Sequence, residues 1–425
     1  MPIQIDQKIE VPIHRLGING EGVGDFEGFT LFVDGALPGE TILGVVTEVR
    51  KNFGRARISE ILHRSNHRVE PVCPLFGHCG GCQIMHLQYE KQLKAKRQRI
   101  LDALERIGKL TIDVLPCMAS PNPLGYRNKI QLPVKDGNIG LYAKGSHDII
   151  DVEKCYIHCS LGEKIYAWIR KFQQVQQFRH LLIRTAVKTS EVLLVFVTED
   201  PFVPDDIPPE VKGIVQCIKR SKGNRILGSE FHTLWGRAWI EEVLQGLKFR
   251  ISAASFFQVN PSQAENLYAQ VIEFAQLSGD EIVLDSYCGV GTLSLILSKG
   301  AKKVIGVESV PEAIDDAKAN AMRNNIKNCE FYCDRAEHFI PNLESADVAV
   351  VNPPRKGCEP IFLETLAKLD PKTIVYVSCD PATMARDVSF LSEKGYQATK
   401  IQPFDMFPQT SHVECIVQLK KKDSS

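Results

Sequence analysis

The chain has 425 residues, 44% of them hydrophobic and 24% charged, the composition of an ordinary folded protein and not of a disordered, collagenous or membrane-embedded one. Lysine plus arginine and aspartate plus glutamate are each 51, so a surface for nucleic acid has to be a local patch. The start MPIQIDQKIEVP lacks the basic flank and apolar stretch of a secretory signal, and no run nears the about 18–20 apolar residues a bilayer requires, which predicts a cytosolic protein of two to four domains with no membrane partner. Thirteen cysteines in such a chain stay reduced, and where they cluster they point to metal binding or catalysis.

Residues 1–63 alternate short apolar runs (11–16, 30–33, 41–49 and 56–62) with glycine-rich turns, the pattern of a small β-barrel. Arg50, Lys51, Arg55 and Arg57 fall around its last hairpin, where they suit phosphate contacts or, equally, solvated strand ends. Next comes the cysteine-rich segment VCPLFGHCGGCQIMHL, then YEKQLKAKRQRILDALERIGKL, whose leucine and isoleucine spacing predicts an amphipathic helix with a basic face. Strand-like runs such as LLIRTAV and VLLVFVT, separated by proline-rich turns, predict a mixed α+β middle domain over 64–250. From 251 to 425 strands and helices alternate: EIVLDSY, a helix from Thr292, KVIGVES, a helix from Pro311, CEFYCD, VAVVN and TIVYVS. That alternation predicts an α/β domain built on a doubly wound, mostly parallel sheet.

In LDSYCGVGTLSL an apolar strand passes into a helix through Gly289 and Gly291, residues that allow a tight turn and close approach of a ligand. A dinucleotide fingerprint wants a third glycine where this chain has Ser294, which counts against NAD. Glu308 ends the next strand and suits the two hydroxyls of a ribose; Asp334 ends the third and suits an adenine amine; Asp285 suits a hydrogen bond that organises the glycine turn. Each acid alone also fits a helix cap or a solvated charge. Together they favour S-adenosylmethionine, a cationic sulfonium, over a pyrophosphate ligand.

The strand TIVYVSC delivers Cys379 to the carboxyl end of the sheet, with Asp380 and Pro381 as the cap and first turn of a helix. Helix-terminal amides lower a thiolate pKa, so a reactive thiol is expected, against the alternative of an ordinary buried cysteine. In QTSHVECIVQLK, Glu414 opens a last apolar strand and returns a carboxylate to the same edge, pairing a nucleophile with a base. Asn352, followed by Pro353 and Pro354, ends another strand and suits contact with a base or cofactor.

FFQVN at 256–260, DSYCGVG, NPPR, VSCD and HVEC occur in this order, and on these motifs the chain resembles the bacterial RNA uracil-C5 methyltransferase family, in its ribosomal-RNA branch. The resemblance implies a class I S-adenosylmethionine-dependent methyltransferase fold behind an N-terminal TRAM barrel that binds RNA and an iron-sulfur middle domain. It implies Cys379 as nucleophile, Glu414 as base, and Gln258, Tyr287, Thr292, Glu308, Asp334 and Asn352 in the S-adenosylmethionine pocket. The implied substrate is ribosomal RNA, 23S in particular, with transfer RNA as the alternative; a monomer is the default. Two positions depart from the family pattern. Asn352 stands where the family has aspartate, keeping an oxygen acceptor and losing the charge, and Thr292 stands where some relatives have asparagine. Phe256 or Phe257 suits stacking on a base, although core packing is the commoner role.

Cys73, Cys79 and Cys82 form C-x5-C-x2-C, with Cys155 and Cys159 as candidates for a fourth ligand. Spacing leaves zinc and iron-sulfur level. The resemblance selects a [4Fe-4S] cluster on Cys73, Cys79, Cys82 and Cys155, with Cys159 a bystander. A radical S-adenosylmethionine motif has three residues between its first two cysteines, not five. Two other readings stand beside the leading one: methylation of an exocyclic amine, for which an aromatic residue is expected where Arg355 follows the two prolines, and a noncatalytic RNA-binding iron-sulfur scaffold.

Overall fold

The computed structural model describes residues 3–220, 223 and 226–422. Strand β1 (Lys8–Leu16) alternates strictly between exposed and buried positions, so Ile9, Val11 and Ile13 point inward while Lys8, Glu10 and Pro12 face solvent. With β2 (Gly22–Phe26), β3 (Phe29–Asp34), β4 (Thr41–Val49) and β5 (Gly54–His63) it closes into a barrel in the order β1-β2-β3-β5-β4. The glycine-rich stretch after β1 is thus not all turn. Gly24 sits where an added Cβ would lie 2.2 Å from the Pro12 carbonyl oxygen, so glycine is what lets β2 approach β1.

Helix α1 (Tyr89–Ala103) follows the cysteine-rich loops and ends in a π-turn at residues 104–108. The seven-stranded mixed sheet that comes next contains β6 (Lys129–Lys135), β7 (Asn138–Tyr142), β8 (Ile149–Asp151), β9 (His180–Ala186), β10 (Glu191–Val197), β11 (Val211–Ile218) and β12 (Glu230–Gly236), with α2 (Ser160–Ile169) between β8 and β9. Its order is β12-β11-β10-β9-β6-β7-β8, and only β10 and β11 run parallel. The hairpin of β13 (Trp239–Leu244) and β14 (Leu247–Ser252) leads into α3 (Pro261–Ala275), capped by the Asn260 side chain.

The last sheet is built from β15 (Ile282–Ser286), α4 (Thr292–Leu297), β16 (Lys303–Glu308), α5 (Pro311–Arg323), β17 (Cys329–Cys333), α6 (Ala336–Phe339), β18 (Val348–Val351), α7 (Pro360–Leu369), β19 (Thr373–Ser378), α8 (Pro381–Glu393), β20 (Tyr396–Phe404) and β21 (Glu414–Lys421). The order is β17-β16-β15-β18-β19-β21-β20. The first five strands are parallel, and β21 and β20 join antiparallel. β18 and β19 are buried at every position, as central parallel strands covered by helices on both faces have to be. Strand order reverses between β15 and β18, which opens a crevice at the carboxyl ends of the strands.

Segments preceding the last sheet contribute to its cores. Ile100, Ala103, Leu104 and Val114 share a cluster with Ile374, Tyr376 and Val388 on one face, and Ile240, Phe249 and Phe257 pack with Val283, Val350 and Val377 on the other. Among the described residues no helix is long and apolar enough to cross a membrane.

Candidate active site

Four side chains flagged from the sequence stand at the carboxyl edge of the last sheet, at the end of a strand or one residue past it: Glu308 after β16, Asp334 after β17, Asn352 after β18 and Cys379 after β19. Glu308 accepts the Gly289 amide at 3.3 Å with one oxygen and the Ser309 and Val310 amides at 2.7 and 3.1 Å with the other, so its carboxylate is held beside the glycine turn. That turn is strained: Tyr287 has φ 63°, a left-handed conformation unusual for a tyrosine, and Gly291 has φ 79°. A Cβ on Gly291 would lie 3.0 Å from Ala317 and Phe331, so the helix start is packed against its neighbours.

Asp285 is fully buried and accepts the Ser294 hydroxyl at 2.5 Å. The residue that occupies the third-glycine place therefore ties the helix to the strand. Burial lifts the Asp285 carboxyl to about 7 in spite of that hydrogen bond, and its other oxygen has no partner in the described structure. Thr292 opens α4, and the half-buried Tyr287 ring packs on Phe362 at 5.3 Å. Gln258 is buried in the 253–260 loop, which is anchored where the Asn128 amide donates to the Val259 carbonyl at 2.8 Å. The two phenylalanines of that loop separate: Phe257 is core, and Phe256 is 71% exposed.

A thiol and a carboxylate come together where β19 meets β21. Ser378 pairs with Cys415 in antiparallel register, which brings Cys379, one residue past β19, and Glu414, the first of β21, to the same sheet edge, near enough for the Glu414 charge to act on the thiol. Asp380 caps α8, accepting the Ala382 and Thr383 amides at 2.9 and 3.1 Å, as the Asp-Pro sequence predicts. The expected depression of the Cys379 pKa is not what the structure gives. Burial and the neighbouring Glu414 carboxylate push the thiol up, against the Arg355 guanidinium and a backbone hydrogen bond that pull it down. A helix start lowers a thiolate pKa where the thiol is solvated; here desolvation outweighs it. Glu414 is 4% exposed, its carboxyl makes no hydrogen bond to a described residue, and burial lifts it to about 7. A carboxylate poised near neutrality beside a thiol is the arrangement expected of a base.

Sequence reasoning missed what holds this pair in place. On α1, Gln92, Lys96, Ile100 and Ala103 form one buried stripe, so the basic face read from the sequence is interrupted by a fully buried lysine. Lys96 pairs with Asp405 and donates to the Phe407 carbonyl at 3.0 Å, while Gln92 donates to Gln409 at 3.0 Å and Arg99 to the Ser411 carbonyl at 2.8 Å. The loop that carries His412 toward Glu414 is therefore clamped by a helix about 300 residues earlier in the chain. His412 is held neutral, its pKa lowered to about 4 by burial and by Arg355 and Arg99.

A second clasp lies under the Asn-Pro-Pro-Arg turn. Asp387 on α8 accepts the Tyr376 hydroxyl at 2.6 Å, the Cys358 amide at 2.8 Å and Arg386 Nε at 2.8 Å, and Arg386 donates to the carbonyls of Lys356 and Cys358. Gly357 (φ 74°) lets the turn lie against this cluster, since a Cβ there would be 2.6 Å from Arg386 and 2.8 Å from Asp387.

Cys73, Cys79, Cys82 and Cys155 line one small pocket with Phe76, Met85, Leu141 and Ile157, and Cys159 is not in its wall. Burial and the mutual repulsion of the four sulfurs push Cys82 up to about 12, and burial raises Cys155 to about 11. Among the described residues no three cysteine, histidine or acidic side chains converge closely enough to hold a single metal ion. The donor set is four soft sulfurs in an apolar pocket, chemistry that fits an iron-sulfur cluster. Glu163 accepts the Cys155 amide at 3.2 Å and bonds the buried His158 ring at 2.7 Å, bracing that side of the pocket.

Comparison with known proteins follows the same lines. The family described as tRNA (Uracil-5-)-methyltransferase matches residues 211–422, and the TRAM domain matches residues 4–59. An uncharacterized RNA methyltransferase of Clostridium acetobutylicum is 43% identical over 100% of this chain and 99% of its own length. One from Listeria innocua is 44% identical over 98% of each. Among solved structures, the tRNA (uracil-54, C5)-methyltransferase of Pyrococcus abyssi in complex with S-adenosyl-L-homocysteine is 30% identical, with a TM-score of 0.78 over 97% of this chain and 100% of that one.

Proposed function

We propose that this chain, which belongs to the RNA (uracil-5-)-methyltransferase family and is an S-adenosylmethionine-dependent enzyme with a TRAM domain, methylates C5 of a uridine in ribosomal RNA, with 23S RNA as substrate. The observation that carries the mechanism is the neighbourhood of Cys379 and Glu414 where β19 ends and β21 begins. Uracil C5 is a weak nucleophile. Cys379, as thiolate, adds to C6, and the electron pair of the C5–C6 double bond shifts to give an enolate nucleophilic at C5. Bound S-adenosylmethionine would supply the methyl group, whose bond to the sulfonium sulfur breaks as its bond to C5 forms, with S-adenosylhomocysteine, a neutral thioether, as leaving group. Once C5 carries that methyl, Glu414 removes the C5 proton, the double bond re-forms, and the C6–S bond breaks to return the thiolate.

Glu308, Asp334 and Asn352, with Gln258, Tyr287 and Thr292, hold the methyl donor in this reading. The glycine turn leaves room for it, and the Asp285–Ser294 bond keeps that turn rigid. Asn352 offers an amide oxygen without charge in the place of an aspartate. The exposed Phe256 stacks on a base of the substrate, and because a stacked uracil hides C6 the target is single-stranded or flipped out. Cys73, Cys79, Cys82 and Cys155 would hold a [4Fe-4S] cluster, whose irons would cross-link the four thiolates and so tie the loops before α1 to the Cys155 segment.

The Pyrococcus neighbour, by its description a transfer-RNA enzyme, supports transfer RNA as a second reading. Incubation of the full chain with ribosomal RNA and, separately, transfer RNA, followed by nucleoside mass spectrometry and mapping, distinguishes them. 5-Methyluridine in ribosomal RNA is the expected product, and Cys379→Ala abolishes it. Undiminished product from that variant would overturn the mechanism, and product confined to transfer RNA would overturn the choice of substrate.

A further inference from the structure

A cavity of about 540 Å³ lies between the turn after β1, the exposed side of α1 and the start of α8. Neither Cys379 nor Glu414 is in its wall, which begins one residue past the nucleophile, at Asp380 to Ala382, and includes Ser411 of the clamped loop. It adjoins the reaction centre and is separate from it.

Its chemistry is divided. The floor is apolar, formed by Leu16, Ile18, Leu87, Ala95, Ala103 and Ile107, and two of these are unusually open for isoleucine: Ile18 is 65% and Ile107 49% exposed. The rim carries Arg15, Lys91, Lys94, Arg99 and Arg106, none of which forms an ion pair with a described carboxylate. Of the two acids in the wall, Asp102 accepts from Gln98 at 2.8 Å, and Asp380 accepts the amides of α8 while its charge also acts on Arg99, which leaves Arg15, Lys91, Lys94 and Arg106 as the cations open to a phosphate. Lys96 also borders the cavity, but its charge is directed to Asp405. An aromatic, uncharged body attached to a polyanion matches this division. An acidic peptide would match the rim and leave the floor without a partner.

We infer that the cavity takes a second unstacked nucleotide of the RNA strand, next to the target uridine, with its base on the Ile18–Ile107 floor and its flanking phosphates on the Arg15, Lys91, Lys94 and Arg106 rim. The inference rests on the RNA-methylating reading above and adds a subsite to it. With the neighbouring base parked there, the strand is held open on one side of the target, which lowers the cost of presenting C6 to Cys379. It also gives the α1 basic face a role that solvation alone does not.

The test uses the full chain and two fluorescent strands, an oligouridylate 12-mer and an abasic 12-mer with the same phosphates. Ile18→Ser with Ile107→Ser weakens oligouridylate binding about tenfold at an unchanged salt slope and leaves the abasic strand unaffected. Lys91→Gln, Lys94→Gln and Arg106→Gln together weaken both strands and lower the salt slope by about two, at roughly 0.7 per phosphate contact for a single strand. Wild-type binding by both variants overturns the inference, as does equal weakening of both strands by the isoleucine pair. Displacement of oligouridylate by polyglutamate of equal charge as effectively as by unlabelled oligouridylate overturns it in favour of a peptide. Methylation measured in parallel separates the two claims. If no 5-methyluridine forms while the binding pattern holds, the catalytic reading falls and the subsite stands. If methylation proceeds and the variants bind normally, the subsite alone falls.

Discussion

Replacing Glu414 by glutamine removes a buried titration while keeping the shape of the side chain. Burial lifts this carboxyl from an ordinary 4.5 to about 7, so the folded state favours the protonated form. The sign follows from linkage: a raised folded pKa contributes stability that is fully present below about 4.5, falls away between 4.5 and 7, and is gone above that. At about 1.4 kcal/mol per pH unit, the wild type loses about 3 kcal/mol over this window, and the glutamine variant does not. The assay is urea unfolding followed by tryptophan fluorescence, wild type and Glu414→Gln side by side from pH 4 to 8. The other carboxylates titrate alike in both proteins and cancel in the difference. Near pH 4 the two differ by little; by pH 8 the variant is more stable by about 3 kcal/mol. A difference that stays constant across the range would refute the placement of Glu414 in a dry site. The proposed base role adds a second expectation: wild-type methylation rises with pH through about 7 as the carboxylate form appears, and the variant still forms an adduct with 5-fluorouridine RNA while losing product formation.

Lys96→Met leaves Asp405 buried without its cation and costs about 3–5 kcal/mol in unfolding experiments; Lys96→Met with Asp405→Leu recovers much of that loss, and equal loss in both would show that the pair is not what holds the loop. Gly357→Ala forces a Cβ against Arg386 and Asp387 at a positive φ, and is expected to lower kcat at least tenfold with 1–3 kcal/mol of destabilisation; full activity would mean that the Asn-Pro-Pro-Arg turn moves freely. Cys82→Ser lowers iron content and visible absorption of protein purified without oxygen, whereas Cys159→Ser leaves both unchanged; retention of iron by Cys82→Ser would reject the ligand set.

Two clamps, and not the side chains at the strand ends, mark the limit of what could be read along the chain. Asp380 followed by Pro381 announces a helix cap because capping involves a side chain and amides two and three residues away, and the structure has both bonds. Gly291 announces a left-handed turn for the same local reason. Lys96 carries no such sign. Its surroundings in sequence are lysines and arginines on a helix, and only its partner at position 405 distinguishes it from its solvated neighbours. Asp387 reads equally as one more charge on α8, until folding brings the hydroxyl of Tyr376 and the amide of Cys358 to it.

The order of strands and helices, the glycine turn and the placing of acids and a thiol at strand ends were determined by sequence alone, because period, capping and turn chemistry act within a few residues. Tertiary structure decided the rest. It turned β21 antiparallel so that Glu414 meets Cys379, brought Cys155 and not Cys159 into the pocket of the other three cysteines, and enclosed the thiol so that its pKa rises where helix position predicted a fall. These outcomes depend on desolvation and on partners up to about 300 residues apart, and neither quantity exists until the chain is packed.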